Sequence, residues 1–117
     1  MIRLRRVYEA PDPVADGVRV LVDRLWPRGL AKAAARVDEW PKVVTPSSEL
    51  RTWWHGGGSW EEFRARYEEE LRTPEAEAAL AHLRALAAAG PLTLVTAVRT
   101  PESSHASILA ELLAAPS

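Results

Sequence analysis

The chain reads as a small single α/β domain spanning residues 1–117, with a short mixed, mostly parallel sheet flanked by helices in three layers or partly so. Three observations carry that reading. Two short apolar runs, residues 18–23 and 92–98, have the β-branched content of strands covered on both faces. A long excursion with helical periodicity separates them. Each run is followed at once by polar residues and a turn or helix start, as the strands of an open parallel sheet are.

Residues 2–8 alternate loosely and form the first strand. Pro11-Asp12-Pro13 and Asp16-Gly17 mark a loop. Residues 18–23 form the second strand. The link between these strands is too short for a helical crossover, so the two are antiparallel or not adjacent. Residues 31–36 form a brief helix. Residues 37–45 are irregular, because Pro41 and Pro46 break any long element. Ser47 or Ser48 caps a short helix through Trp54, with Leu50, Trp53 and Trp54 on its inner face. Gly56-Gly57-Gly58 follows as a flexible linker.

Ser59 and Glu62 make a capping box. Trp60, Phe63, Tyr67 and Leu71 recur behind it at helical spacing as one apolar stripe. Thr73-Pro74-Glu75 starts the next helix, with Thr73 as cap and Pro74 at the first helical position. Its buried stripe is Ala76, Leu80, Leu83 and Ala87, and Gly90-Pro91 stops it. Residues 92–98 form the last strand, joined to the second by a right-handed crossover. Thr100-Pro101-Glu102 repeats the cap-Pro-acid pattern and opens the final helix, with Ile108, Leu109 and Leu112 inward.

Composition bounds the function. With 117 residues, 47% of them hydrophobic, the chain can build a core. It contains no cysteine, which removes disulfides, thiolate nucleophiles and Cys-based zinc sites. No apolar run reaches the length of a membrane span, and no leader pattern is present, so a cytoplasmic location is expected. The net charge of −1 argues against bulk attraction to nucleic acid. His55, His82 and His105 lack metal-ligand spacing, so no metal is expected, and no motif implies a cofactor. Neither phosphate-loop fingerprint occurs, nor does a serine-hydrolase elbow.

The chemistry concentrates at two strand ends. Asp23-Arg24-Leu25-Trp26-Pro27-Arg28-Gly29 follows the second strand, and Arg99-Thr100 follows the last. If those strands are parallel neighbours, Arg24, Arg28 and Arg99 converge over one edge of the sheet. There they are expected to hold a small anion, because guanidinium groups grip phosphate and carboxylate in plane. The final helix adds its amides, with hydroxyls from Thr100, Ser103 and Ser104. Asp23 orients an arginine or acts as a base, and His105, facing inward, is an acid–base candidate. The same run also reads as scaffolding: an internal salt bridge under a hydrophobic plug. Two other functions compete. Five tryptophans, among them Trp40, Trp53 and Trp54 beside Pro-rich backbone, suit a protein-interaction module or, third, a stacking platform for nucleic acid.

Leu21-Val22-Asp23-Arg24-Leu25-Trp26-Pro27-Arg28-Gly29 resembles the YeaO-like bacterial family, domain of unknown function 488. The resemblance extends to Trp40, to Pro46-Ser47-Ser48-Glu49-Leu50-Arg51, to Trp54 and His55, and to Trp60, Phe63, Tyr67, Glu70 and Leu71. Residues 92–97 look like that family's last strand. What the resemblance implies is a small cytoplasmic α/β protein of uncharacterised activity. It assigns no catalytic residue.

Overall fold

The computed structural model describes residues 1–115. Three strands, β1 (Ile2–Arg6), β2 (Val18–Leu21) and β3 (Leu92–Thr96), form one sheet in the order β1-β3-β2. Both pairings are parallel: Ile2 stands opposite Leu92 on one side of β3, and Val18 on the other. The first two strands are therefore non-adjacent, because the last strand inserts between them. The α/β class holds, and the sheet is parallel at both pairings rather than mixed. The strands are also shorter than their apolar runs. Pairing nonetheless continues past two of them: Val7 N–H donates to Thr96 C=O at 2.9 Å and Val22 N–H to Val95 C=O at 3.1 Å.

Five helices surround the sheet: α1 (Lys32–Ala35), α2 (Ser48–His55), α3 (Trp60–Glu70), α4 (Pro74–Ala89) and α5 (His105–Ala114). Their starts follow local chemistry. Ser47, Ser59 and Thr73 each accept a hydrogen bond from the amide three residues on. The Ser59 box is only half made, since Glu62 pairs with Arg66 at 2.9 Å instead. The glycine triplet is a tight helix end and not a flexible linker. Gly56 N–H donates to Thr52 C=O and Gly58 N–H to Trp53 C=O. A Cβ on Gly58 would overlap the Trp53 ring.

The last helix departs most from expectation. Thr100 makes no side-chain cap, and Pro101–Ser103 is a 3₁₀ turn with Pro101 buried. Ser104 caps α5, accepting from Ala106 N–H. The helix therefore starts four residues later than the Thr100-Pro101-Glu102 pattern suggested.

The sheet faces are unequal. Val20, Val22, Leu92 and Leu94 join the large core with Leu50, Phe63, Tyr67, Leu80, Leu83, Ile108 and Leu109 from the helices. Leu21 and Val95 join a smaller core with Val7 and Ala35, covered by Trp26, Leu30, Val37 and Trp40. This is a partial three-layer arrangement: the longer helices on one face, and the short α1 with a thin loop layer on the other. Strands buried on both faces read as continuous apolar runs, as β2 and β3 do. No helix is long and apolar enough to cross a membrane among the described residues.

Candidate functional site

Because β2 and β3 are parallel neighbours, their carboxyl ends open on the same edge. A cleft of about 470 Å³ lies there. The run after β2 supplies Asp23, Arg24, Trp26, Pro27 and Arg28. The segment after β3 supplies Ala97, Val98, Thr100, Ser103 and Ser104, and α5 supplies His105. Tyr8 enters from the end of β1.

Asp23 and His105 come together at the floor. Asp23 Oδ1 accepts from Thr96 Oγ1 at 2.7 Å, and Oδ2 accepts from Ala97 N–H at 2.7 Å. His105 Nε2 lies 3.1 Å from Asp23 Oδ1 and 2.9 Å from Val22 C=O. Both neighbours are acceptors, so Nε2 carries the proton and donates. In the neutral imidazole the free lone pair is then on Nδ1. Burial pushes the Asp23 carboxyl up, but the bonds from His105, Ala97 N–H and Thr96 outweigh it and hold its pKa below the ordinary aspartate value. A carboxylate so held orients a histidine and is a poor proton acceptor.

The arginines divide. Arg24 donates through Nε to Pro46 C=O at 3.0 Å and through Nη2 to Thr45 C=O at 3.3 Å. It ties the segment before α2 to the end of β2, so it braces the wall that it also lines. Arg28 is exposed at the rim, where its backbone C=O accepts from Tyr8 Oη at 3.0 Å. Its guanidinium makes no ion pair among the described residues. Arg99 is exposed and does not line the cleft. One residue from the last strand end thus fails to converge with the other two arginines.

The amide cradle at α5 is also largely consumed. Ser104 Oγ accepts from Ala106 N–H and itself donates to Pro101 C=O at 2.7 Å. Ser107 N–H donates to Ser104 C=O. Thr100 and Ser103 line the cleft, but neither lies in the first turn of the helix as expected.

Sequence reasoning missed Arg51 and His55. Both are on α2 and both line the cleft. The Arg51 side chain makes no hydrogen bond or ion pair among the described residues. The signal was available: with Ser47 as cap, Arg51, Trp54 and His55 fall at i, i+3 and i+4 and share one face. The charged lining is therefore Arg24, Arg28 and Arg51 against the single carboxylate of Asp23.

The indoles are core material. All five are half-buried, none is exposed, and each packs against one of the two cores. Trp26 meets Trp40 edge-on at 5.5 Å, and the two donate to Leu30 C=O and Asp23 C=O, each at 2.7 Å. Those bonds lock the run after β2. His82 lies away from the cleft and pairs with Glu39 at 2.9 Å. Among the described residues no group of three His, Asp or Glu side chains comes together as a metal site would require.

A small α/β protein with a cleft at its strand ends is the class that fold and site define. The family model described as "Inactive DUF488-N3 subclade" matches residues 1–116, and the chain belongs to that family. An uncharacterised protein of Mycobacterium tuberculosis is 50% identical over 113 residues, covering 96% of this chain and 92% of the relative. The uncharacterised protein YeaO of Escherichia coli is 42% identical over 113 residues, covering 96% of each. No solved structure matches the chain. It is thus a YeaO-like bacterial protein of unknown function, as the run after β2 implied.

Proposed function

We propose that the cleft at the strand ends binds a small anion. The observation that carries this is a charge imbalance. Three arginines line the cleft, two of them with side chains that have no hydrogen-bond or ion-pair partner among the described residues, while its one carboxylate is already bonded to three donors. Such a site attracts an anion from water and offers it planar, charge-assisted hydrogen bonds. Arg28 and Arg51 grip the ligand, Arg24 holds the wall behind them, and Thr100 and Ser103 offer hydroxyls. Arg99 has no part in it.

Binding without turnover is the form favoured here. Asp23 already accepts from three donors, and its pKa is held below the ordinary aspartate value, so it serves to orient His105. The word inactive in the description of the matching family model accords with that. The half-buried indoles weigh against an exposed tryptophan patch for a protein partner. The near-neutral net charge weighs against nucleic acid.

Calorimetric titration with inorganic phosphate and sulfate at low ionic strength tests the proposal. Binding to the wild type, weakened at least tenfold by Arg28→Ala and again by Arg51→Ala, is the expected result. No heat at millimolar anion, or equal binding by the Arg28→Ala/Arg51→Ala variant, refutes it.

A further inference from the structure

The cleft is much larger than an inorganic anion needs. It encloses about 470 Å³, whereas a water molecule takes roughly 30 Å³ in the liquid. A phosphate ion with five heavy atoms fills only a small part. The remaining space has a different wall. Trp54, Trp60 and Phe63 line it as one cluster, with centroids 5.5 Å apart for the two indoles and 5.1 Å and 5.6 Å from each to Phe63. Phe63 is buried behind, while both indoles keep part of their surface open. The same two indoles continue into a neighbouring open groove beside Leu4 and Ala110. The apolar wall therefore extends beyond the cluster itself.

The spacing between charge and ring is set by one helix. Arg51 and Trp54 are three residues apart on α2, which puts their Cβ atoms roughly 5–6 Å apart on one face. Both residues line the cleft, so a charged group and a ring stand side by side on the same wall.

We infer that the ligand is an anionic group carried on a flat aromatic or heteroaromatic body, the charge on Arg51 and Arg28 and the ring against Trp54 and Trp60. This rests on the anion reading above and names the ligand class for the same cleft. Ring faces are sequence-tolerant and shape-tolerant stacking surfaces, so the wall selects for flatness and aromaticity. The arginines select for charge.

The test compares methyl phosphate with phenyl phosphate by calorimetry and by ¹H–¹⁵N spectra of the five indole N–H groups, assigned with Trp54→Phe and Trp60→Phe. Phenyl phosphate is expected to bind at least tenfold more tightly than methyl phosphate. It alone is expected to move the Trp54 and Trp60 signals. Trp54→Leu is expected to reduce phenyl phosphate to the affinity of methyl phosphate. Equal affinity for the two esters, or unmoved indole signals, overturns the aromatic inference and leaves the anion reading standing. If neither ester binds, both fall. Should Trp54→Leu fail to fold, the wild-type affinity ratio and the indole shifts still decide.

Discussion

Replacing Asp23 with Asn probes the joint on which the site is built. The carboxylate receives three donors: Thr96 Oγ1 at 2.7 Å, Ala97 N–H at 2.7 Å and His105 Nε2 at 3.1 Å. Asn keeps the shape, but one oxygen becomes an NH₂ donor. The remaining oxygen takes Ala97 N–H, because a backbone amide cannot be re-aimed. The new NH₂ then faces Thr96 and His105. The threonine hydroxyl can turn and accept, but Nε2–H cannot without releasing Val22 C=O. One donor is left facing a donor, and the surviving bonds lose their charge assistance. A hydrogen bond to a charged group contributes about 1.5–3 kcal/mol and an unsatisfied buried donor costs about 1–3 kcal/mol, so the expected loss is about 2–4 kcal/mol. At roughly 4 °C per kcal/mol for a chain of this size, the melting temperature falls by about 8–16 °C. Urea unfolding followed by far-UV circular dichroism at pH 7 measures it. Thr96→Val, which deletes one donor and keeps the charge, should cost about 1.5–3 kcal/mol, the contribution of one hydrogen bond to a charged group. A loss below about 0.5 kcal/mol for Asp23→Asn would refute the reasoning: the carboxylate would then not be the joint between β2, β3 and α5.

Stability should depend on pH in a definite direction. Asp23 and Asp16 both have folded pKa values below the ordinary one. For Asp16, burial raises the value, while hydrogen bonds from Asp12 N–H and Arg19, with the charges of Arg19 and Arg5, lower it further. The unfolded chain thus binds more protons in acid. The stabilisation is complete above the ordinary aspartate value of about 3.9 and is lost as pH falls through the folded values. The urea midpoint should fall below about pH 4, and less steeply in Asp23→Asn; a midpoint unchanged down to pH 3 contradicts this. Gly17→Ala should destabilise by about 2–4 kcal/mol in the same urea assay, since Gly17 has φ +60° and a Cβ there would overlap the Pro91 carbonyl that accepts from Val18 N–H. Tyr67→Phe should cost about 1–2 kcal/mol, because the buried hydroxyl donates to Val44 C=O at 2.5 Å and its loss leaves that carbonyl unpaired. A neutral Tyr67→Phe would show that water replaces the bond.

Local rules in the sequence determined much of this protein. Serine and threonine caps, the Pro74 start and the 3.6-residue apolar stripes located α2, α3 and α4, because each depends on neighbours within one helical turn. Apolar β-branched runs located β2 and β3, and the run from Asp23 to Gly29 identified the family and one wall of the cleft. The length of each strand, the starting residue of α5 and the partners of each arginine depend on contacts between distant segments. Arg24 is bound by carbonyls more than twenty residues away, Arg99 turns to solvent, and Arg51 enters from a helix that sequence reasoning had assigned to the core. A guanidinium on a long flexible stem can reach many acceptors. Which one it meets is decided only when the sheet order β1-β3-β2 brings the strand ends and α2 together.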